Sequence, residues 1–217
     1  MNILIVVSSK SPNPYLYTCI EQLYQIQIRP DSDARHHYKI LIVDSDSDDI
    51  TNYHKVQYVF PEVKIAFVQN RNYEYGAWKY AYEIYPNEDI YFCIQDTNLL
   101  HHPIDLSLVQ ENRAYTFHVD SGFDLEIRDT SRQLLEGSGF RLEYESFFGR
   151  NFCIATHSIF IVNNHTIADL LRTLPIPPTT KFGSNSTERI FGMYFILRGI
   201  ETIDMGKNIR KIHGLRI

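Results

Sequence analysis

The sequence has no stretch in which lysine and arginine concentrate, and its formal net charge is −5 over 217 residues. A nucleic-acid surface needs clustered cations that neutralise phosphates, so nucleic acid is not an expected partner. No apolar run approaches the ~20 residues of a membrane span. The opening stretch MNILIVVSSK is too short for a signal peptide and lacks its basic start and its cleavage site. We therefore expect a cytoplasmic protein without a membrane span.

Cysteine is also scarce. The chain has three, Cys19, Cys93 and Cys153, which lie far apart in sequence and each in an apolar context. This spacing fits neither a disulfide framework nor a zinc site. It predicts buried free thiols in a reducing compartment, which agrees with the expected cytoplasmic location.

The first half of the chain contains four runs that are continuously apolar and that each lead into polar residues. A continuous run predicts a strand that is covered on both faces, as in a parallel sheet. The runs are NILIVV (2–7), YKILIV (38–43), VKIAFV (63–68) and DIYFCI (89–94). The segments 13–25 and 73–86 have helical periodicity, whereas the link at 50–60 is less clear. Strands that alternate with helices predict an α/β sandwich.

The second half is more irregular. The patterns predict strands at AYTFHV (114–119) and FRLEYE (140–145), and a further strand within 151–164 that leads into a helix. They predict a loop over 175–186 and then a helix, TERIFGMYFILRG (187–199), which Ser186 or Thr187 caps. Residues 1–217 therefore read as one domain, with a nucleotide-binding-like front half (1–100) and a more irregular back half (101–217).

Polar residues end all four early strands. Asp44 follows the second strand and Asp96 follows the fourth. Ligands of open parallel sheets bind in the crevice beyond the carboxyl ends of the strands. We therefore expect the two carboxylates to face one cleft.

The order of these features resembles that of family-2-type glycosyltransferases with the GT-A fold. ILIVDSDSDD resembles their VVDDGSTD element, and VQNRNYEYGAWKYAY resembles the Asn-Gly-rich segment that follows it. YFCIQDTNLL resembles the metal-binding D-x-D strand end, which in the rhamnosyltransferase branch often reads DQDT. STERIFGMYFILRG resembles the late acceptor-side helix that carries the catalytic base.

The resemblance implies a GT-A fold and the transfer of a sugar from a nucleotide-diphospho-sugar to an acceptor hydroxyl, with Mn²⁺ or Mg²⁺ as cofactor. It implies inversion by direct displacement with Glu188 as base, and Asp96 and His213 as metal ligands. The residues expected to bind the donor are Ser8, Asp44, Asn72, Gly76, Lys79, Gln95 and Asp96. If Glu188 is not the base, Asp120 and Asp124 are the next candidates.

Two departures from the family pattern keep other functions open. Ile94 stands where the first Asp of D-x-D is expected, and SSKSPN replaces the usual PTYN. A degenerate GT-A domain that binds a sugar or a protein without catalysis is one alternative. A nucleotidyltransferase is a second, although the first strand is not followed by its Gly-rich signature. Structural explanations also exist for single residues: Asp96 as a turn cap, Lys79 as a solvated helix residue, and Glu188 as a partner of the helix dipole.

Overall fold

The computed structural model describes residues 1–10, 14–29 and 36–212. The strands of this part of the chain are β1 (Asn2–Ser9), β2 (His37–Asp44), β3 (Lys64–Phe67), β4 (Ile90–Gln95), β5 (Asn98–Leu100), β6 (Arg113–Ser121), β7 (Phe152–Asn163), β8 (Glu201–Asp204) and β9 (Ile209–Lys211). The helices are α1 (Tyr15–Gln22), α2 (Thr51–Val59), α3 (Tyr73–Ile84), α4 (Arg128–Leu134), α5 (Arg141–Phe147), α6 (Asn164–Thr173) and α7 (Lys181–Leu197). A π-helical segment, Leu23–Ile28, continues α1, and a 3₁₀ turn covers Leu106–Leu108.

The strands form a seven-stranded sheet in the order β3-β2-β1-β4-β7-β6-β8 and a small β5–β9 pair. Strands β3, β2, β1 and β4 are parallel, and β7 runs antiparallel between β4 and β6. The mostly parallel α/β sheet predicted from the sequence is therefore confirmed. None of the helices in the described ranges is long and apolar enough to cross a membrane.

Both faces of the central strands are covered, which explains their continuously apolar sequences. On β1, Leu4 and Val6 belong to one core cluster, which includes Trp78 of α3 and much of α7. Their neighbours Ile3, Ile5 and Val7 belong to the other cluster, which includes residues of α1 and α2. All five β1 side chains are fully buried. Successive strand residues point to opposite faces, so a strand buried on both sides has no polar positions.

Strand β3 does not have this environment, although its sequence predicts it. It is the edge strand of the sheet, and Phe67 is 54% exposed. In helix α3, Trp78 is fully buried, whereas Ile84 at the last position is 53% exposed.

The predicted strand 140–145 is wrong, because residues Arg141–Phe147 form helix α5. The alternation of Phe140, Leu142 and Tyr144 mimics a strand. The buried residues are in fact Phe140, Tyr144 and Phe147, whereas Leu142 is 87% exposed. This spacing of four and then three residues is the helical period.

Helix α7 begins six residues earlier than predicted. Thr180 is its N-cap, and its Oγ1 accepts from the N–H of Gly183 at 3.0 Å. The hydroxyls of Ser186 and Thr187 donate instead to the carbonyls of Phe182 and Gly183, four residues back and 2.9 Å away. These hydroxyls therefore bond within the helix and do not cap it. Glu188 consequently lies in the third turn of α7 and not in its first.

Helix α7 packs closely on β7 at Gly192. A Cβ atom there would lie 2.5 Å from the carbonyl oxygen of Cys153 and 2.8 Å from Cα of Ile154. Both neighbours are backbone atoms of a sheet strand and cannot move aside easily. Glycine is therefore required for this contact between helix and sheet.

We expect Gly192→Ala to lower the free energy of unfolding by ~1–3 kcal/mol, because a methyl group overpacks this contact. Helix propensity alone would change it by roughly 1 kcal/mol in the opposite direction. Urea unfolding measures the net effect. Gly139→Ala is the matched control, since a Cβ there meets no atom within 4 Å. A variant at position 192 that is more stable than wild type would contradict the close contact.

Candidate active site

The carboxyl ends of β1, β2 and β4 meet, as their register requires. Ser8 is paired with Gln95, and Ser9 with Asp44. The Oγ of Ser9 donates to Oδ2 of Asp96 at 2.8 Å, and the N–H of Asp96 donates to the carbonyl of Ser8 at 3.1 Å. Asp96 is 7% exposed. The β1 end thus holds the Asp96 carboxylate in place.

Asp44, at the end of β2, accepts hydrogen bonds from residues that follow it in the chain. Its carboxylate accepts from the hydroxyl of Tyr53 at 2.6 Å, from the N–H of Ser47 at 3.1 Å, and from the Ser47 hydroxyl. It is 3% exposed. These contacts make Asp44 an anchor for the turn that follows β2 and for α2.

Asn70 organises the loop between β3 and α3. Its Nδ2 donates to Oγ of Ser45 at 3.1 Å, and its Oδ1 accepts from the N–H of Asn72 at 2.9 Å. A Cβ on Gly76 would lie 1.9 Å from that Oδ1. Gly76 therefore leaves room for Asn70. The Nδ2 of Asn72 donates to the carbonyl of Pro178 at 3.1 Å, which joins this loop to the segment before α7.

Lys79, which is predicted for the site, is not brought to it by the described contacts. Lys79 is exposed and makes a 2.8 Å ion pair with Glu83 on the surface of α3. His213 lies outside the described residues. Of the reserve candidates for the base, Asp120 and Asp124 are both exposed.

A polar chain crosses the end of β4 through the side chain of Gln95. Its Oε1 accepts from Nζ of Lys211, and its Nε2 donates to Oε1 of Glu74. Lys211 also donates to Oγ1 of Thr97 at 2.5 Å. The other Glu74 oxygen accepts from Oγ of Ser184 in α7 at 3.2 Å. The amide thus connects an ammonium group of β9 with a carboxylate of α3 and, through it, with α7.

A bulge in β7 lies next to this series of hydrogen bonds. Thr116 pairs with Phe160 but His118 pairs with Ala155, so residues 156–159 lie opposite Phe117 alone. His157 and Ser158 have positive φ angles of 57° and 54°. Non-glycine residues seldom adopt this conformation, and it concentrates at functional sites. The bulge carbonyls accept from Gln95 Nε2 at 3.4 Å and from Trp78 Nε1 at 3.1 Å.

The bulge also meets Glu188. Burial raises the pKa of the Glu188 carboxyl to about 7, and the nearby Glu74 raises it further. A hydrogen bond from the backbone N–H of His157 lowers this pKa, as do the charges of Lys181 and Arg189. Burial dominates, so Glu188 is a carboxyl group that gains and loses its proton near neutral pH.

Sequence reasoning missed Lys211, Glu74 and Ser184 as members of this site. The pattern KIHG drew attention to His213, two residues after Lys211. No local signal distinguishes Lys211, because its position depends on the pairing of β9 with β5, which is more than 100 residues away. Glu74 lies within the segment VQNRNYEYGAWKYAY. Its position in the first turn of α3 is a feature from which the sequence could have indicated a site residue.

Of the two predicted ligands of a divalent cation, the described residues include Asp96 alone, because His213 lies outside them. Mn²⁺ and Mg²⁺ prefer oxygen ligands, and at nucleotide sites Mg²⁺ is held by one or two carboxylates together with substrate phosphates and waters. Ile94 is 2% exposed and belongs to the apolar core, and Lys211 bonds both residues that flank Asp96. Within residues 1–10, 14–29 and 36–212, no group of three or more His, Cys, Asp or Glu residues could hold a metal ion.

No protein-family model and no curated protein sequence matches the chain. Solved structures do match. S. aureus TarS aligns with a TM-score of 0.52 and 13% identity, over 94% of this chain and 35% of that one. The mannosyltransferase PcManGT from Pyrobaculum calidifontis, in complex with GDP-Man and Mn²⁺, aligns with a TM-score of 0.51 and 16% identity, over 93% and 54%.

The chain has the GT-A fold. The fold class predicted from the sequence is thereby confirmed. The chain spans about a third of the length of the TarS chain and about half of that of the mannosyltransferase.

The raised pKa of Glu188 predicts a pH-dependent difference between wild type and Glu188→Gln. Between about pH 4.5 and 7 the folded state retains a proton that the unfolded chain releases, so this group destabilises the wild type increasingly as the pH rises. Glutamine has no such penalty. We expect the stability of Glu188→Gln relative to wild type to increase across this range by up to about 3 kcal/mol.

Urea unfolding at about pH 5 and about pH 7.5 measures this change. Glu143→Gln, at an exposed position of α5, is the matched control and should show no comparable change. A Glu188→Gln effect that is the same at both pH values would mean that the carboxyl is not held protonated by its surroundings.

Proposed function

We propose that the protein is a glycosyltransferase that moves a sugar from a nucleotide-diphospho-sugar to an acceptor hydroxyl, with Glu188 as the general base. The observation that carries this proposal is the partly buried Glu188 carboxyl, with its pKa of about 7, next to Glu74, which accepts a hydrogen bond from Gln95 at the carboxyl end of β4. A general base works best when its pKa lies near the operating pH. Carboxyl groups with a pKa raised in this way cluster at functional sites.

The fold supports the donor class. In open parallel sheets the crevice beyond the strand ends receives the ligand, and here Ser8, Gln95 and Asp96 lie at the ends of β1 and β4. The structurally similar PcManGT is in complex with GDP-Man. We propose that residues 1–100 bind the nucleotide and that residues 101–217 shape the acceptor side. Asn72 and Gly76 act here by ordering the loop before α3, and Asp44 by anchoring the turn after β2.

The reaction is a single displacement at the anomeric carbon. The acceptor oxygen attacks that carbon, and its proton passes to the Glu188 carboxylate. The bond from the anomeric carbon to the diphosphate oxygen breaks, and its electron pair stays on the leaving nucleoside diphosphate. One displacement inverts the configuration. Glu74 carries hydrogen bonds from both Gln95 and Ser184, so it is less suited to accept the acceptor proton.

The three cysteines are free, with Cys19 and Cys93 buried. They support the expected cytoplasmic site of action. The sugar is not specified by these residues. IQDT differs by one residue from the DQDT element to which it is similar, so dTDP-deoxyhexoses belong among the donors to be tested beside UDP- and GDP-sugars.

A second candidate function is a non-catalytic GT-A domain that binds a nucleotide or sugar. The observation in its favour is the loss of the first D-x-D carboxylate at Ile94. This alternative predicts nucleotide or sugar binding without turnover. A nucleotidyltransferase would instead release pyrophosphate from a nucleoside triphosphate and a sugar phosphate.

A thermal-shift screen tests the donor site. We expect UDP-, GDP- or dTDP-sugars to raise the melting temperature, because a ligand that binds only the folded state stabilises it. Parallel samples with EDTA and with Mn²⁺ test the metal expectation. We expect Asp96→Ala to abolish the shift. Asp105→Ala, at an exposed position away from the strand ends, is the control. Equal shifts in wild type and Asp96→Ala would remove Asp96 from the donor site.

The role of Glu188 is tested by turnover with the donor that gives the largest shift. We expect Glu188→Gln to lower kcat by at least ~10²-fold while donor affinity stays nearly unchanged, because only proton transfer is lost. Glu143→Gln should retain wild-type turnover. Turnover of Glu188→Gln within a few-fold of wild type would exclude Glu188 as base.

A further inference from the structure

The carboxylate of Glu74 is held in place by donors from two other elements. Its Oε1 accepts from Nε2 of Gln95 in β4, and its Oε2 accepts from Oγ of Ser184 in α7 at 3.2 Å. Glu74 itself lies in the first turn of α3 and is partly buried. Because each oxygen has its own donor, this carboxylate is a fixed group between α3, the end of β4 and α7.

The same contacts lead to Glu188. Ser184 and Glu188 are four residues apart in α7, so they lie on one face of the helix in successive turns. The Nε2 of Gln95 that donates to Glu74 also donates to the carbonyl of His157 at 3.4 Å, and the N–H of His157 donates to the Glu188 carboxyl. Helix α7 and the β7 bulge thus hold the two carboxyl groups in one connected set of contacts.

Titratable groups of several elements lie around this set of contacts. They are Glu74 of α3, His157 of β7, Lys181 and Arg189 of α7, Lys211 of β9 at the other end of the Gln95 amide, and Asp124, 4.0 Å from the guanidinium of Arg189. Among Glu74, Lys181 and Arg189, Glu74 has the largest effect on the pKa of Glu188. Lys181 is exposed, so solvent screens its charge.

A fixed negative charge near a carboxyl group makes the loss of its proton less favourable, because the second charge must form close to the first. The carboxylate that does form is a stronger base, and a stronger base takes a proton from an acceptor hydroxyl more readily. A neutral side chain at position 74 could still bond to Gln95 and Ser184, but it would not supply this effect.

We propose that Glu74 is a positioning residue for the reaction, a fixed negative charge that strengthens Glu188 as the base. This inference rests on the proposed function. The acceptor proton passes to the Glu188 carboxylate while the acceptor oxygen bonds to the anomeric carbon, and Glu74 itself takes no proton in the step. Gln95 and Ser184 keep the charge of Glu74 where it acts on Glu188.

A double-mutant cycle in urea unfolding tests the interaction without any substrate. Glu188→Gln is compared with its parent at about pH 5 and about pH 7.5, once in wild type and once in Glu74→Gln. The gain in relative stability with pH should be smaller by roughly a third in the Glu74→Gln background, because Glu188 then loses its proton at lower pH. Glu83→Gln, at an exposed position of α3, is the control background and should leave the gain unchanged.

The pH dependence of kcat tests the catalytic role, with the UDP-, GDP- or dTDP-sugar that gives the largest thermal shift. Wild-type kcat should rise with pH as Glu188 loses its proton at about pH 7. In Glu74→Gln this rise should move to lower pH by about half a unit to one unit. Lys181→Met removes a charge of opposite sign and should move the rise to higher pH. A purely structural role of Glu74 would lower kcat at every pH without moving the rise.

The outcomes separate this inference from the proposed function. An equal stability gain in wild type and Glu74→Gln, or a pH–rate profile that Glu74→Gln does not move, overturns the role of Glu74 and leaves Glu188 as base standing. Absence of turnover in wild type with every nucleotide-sugar overturns the proposed function and this role together. A smaller gain with a rise at lower pH supports the proposal. If Glu74→Gln does not fold, Glu74→Ala, which also removes the charge, decides both measurements.

Discussion

The site depends on one amide group, that of Gln95, between a positive and a negative side chain. An amide has a carbonyl oxygen that accepts and an NH₂ group that donates. Lys211 therefore faces one end and Glu74 the other. The amide therefore gives each of the two charged groups a hydrogen-bond partner and connects them. Four elements that are distant in sequence, β4, β9, α3 and α7, meet through this contact.

The bulge in β7 supplies backbone groups to the same site. A regular strand would direct its N–H and carbonyl groups into the ladder with β4 and β6. The extra residues and the two positive φ angles turn these groups toward Glu188, Gln95 and Trp78 instead. The strain costs of order 1–3 kcal/mol for each such residue. The close contact of Gly192 with the same strand holds α7 at the height where Glu188 reaches the bulge.

The sequence predicted the sheet and its polar end well, because burial on both faces leaves a local signature. It predicted Asp96 and Gln95 at the end of β4 for the same reason. It failed at FRLEYE, where one exposed leucine imitates strand alternation, and at SNST, where hydroxyls that bond backward within α7 resemble a cap. It could not find Lys211, since the partner that positions it is more than 100 residues away and nothing in the neighbourhood of Lys211 indicates the pairing.

The small size of the β5–β9 pair has a consequence for the energetics of the site. The seven-stranded sheet is supported on both faces, but β9 meets β5 over three residue pairs only. Proteins open locally with free energies far below that of global unfolding, and short peripheral elements open most readily. Local opening of this pair breaks the contacts of Lys211 with Gln95 and Thr97 at a lower free energy than unfolding of the seven-stranded sheet.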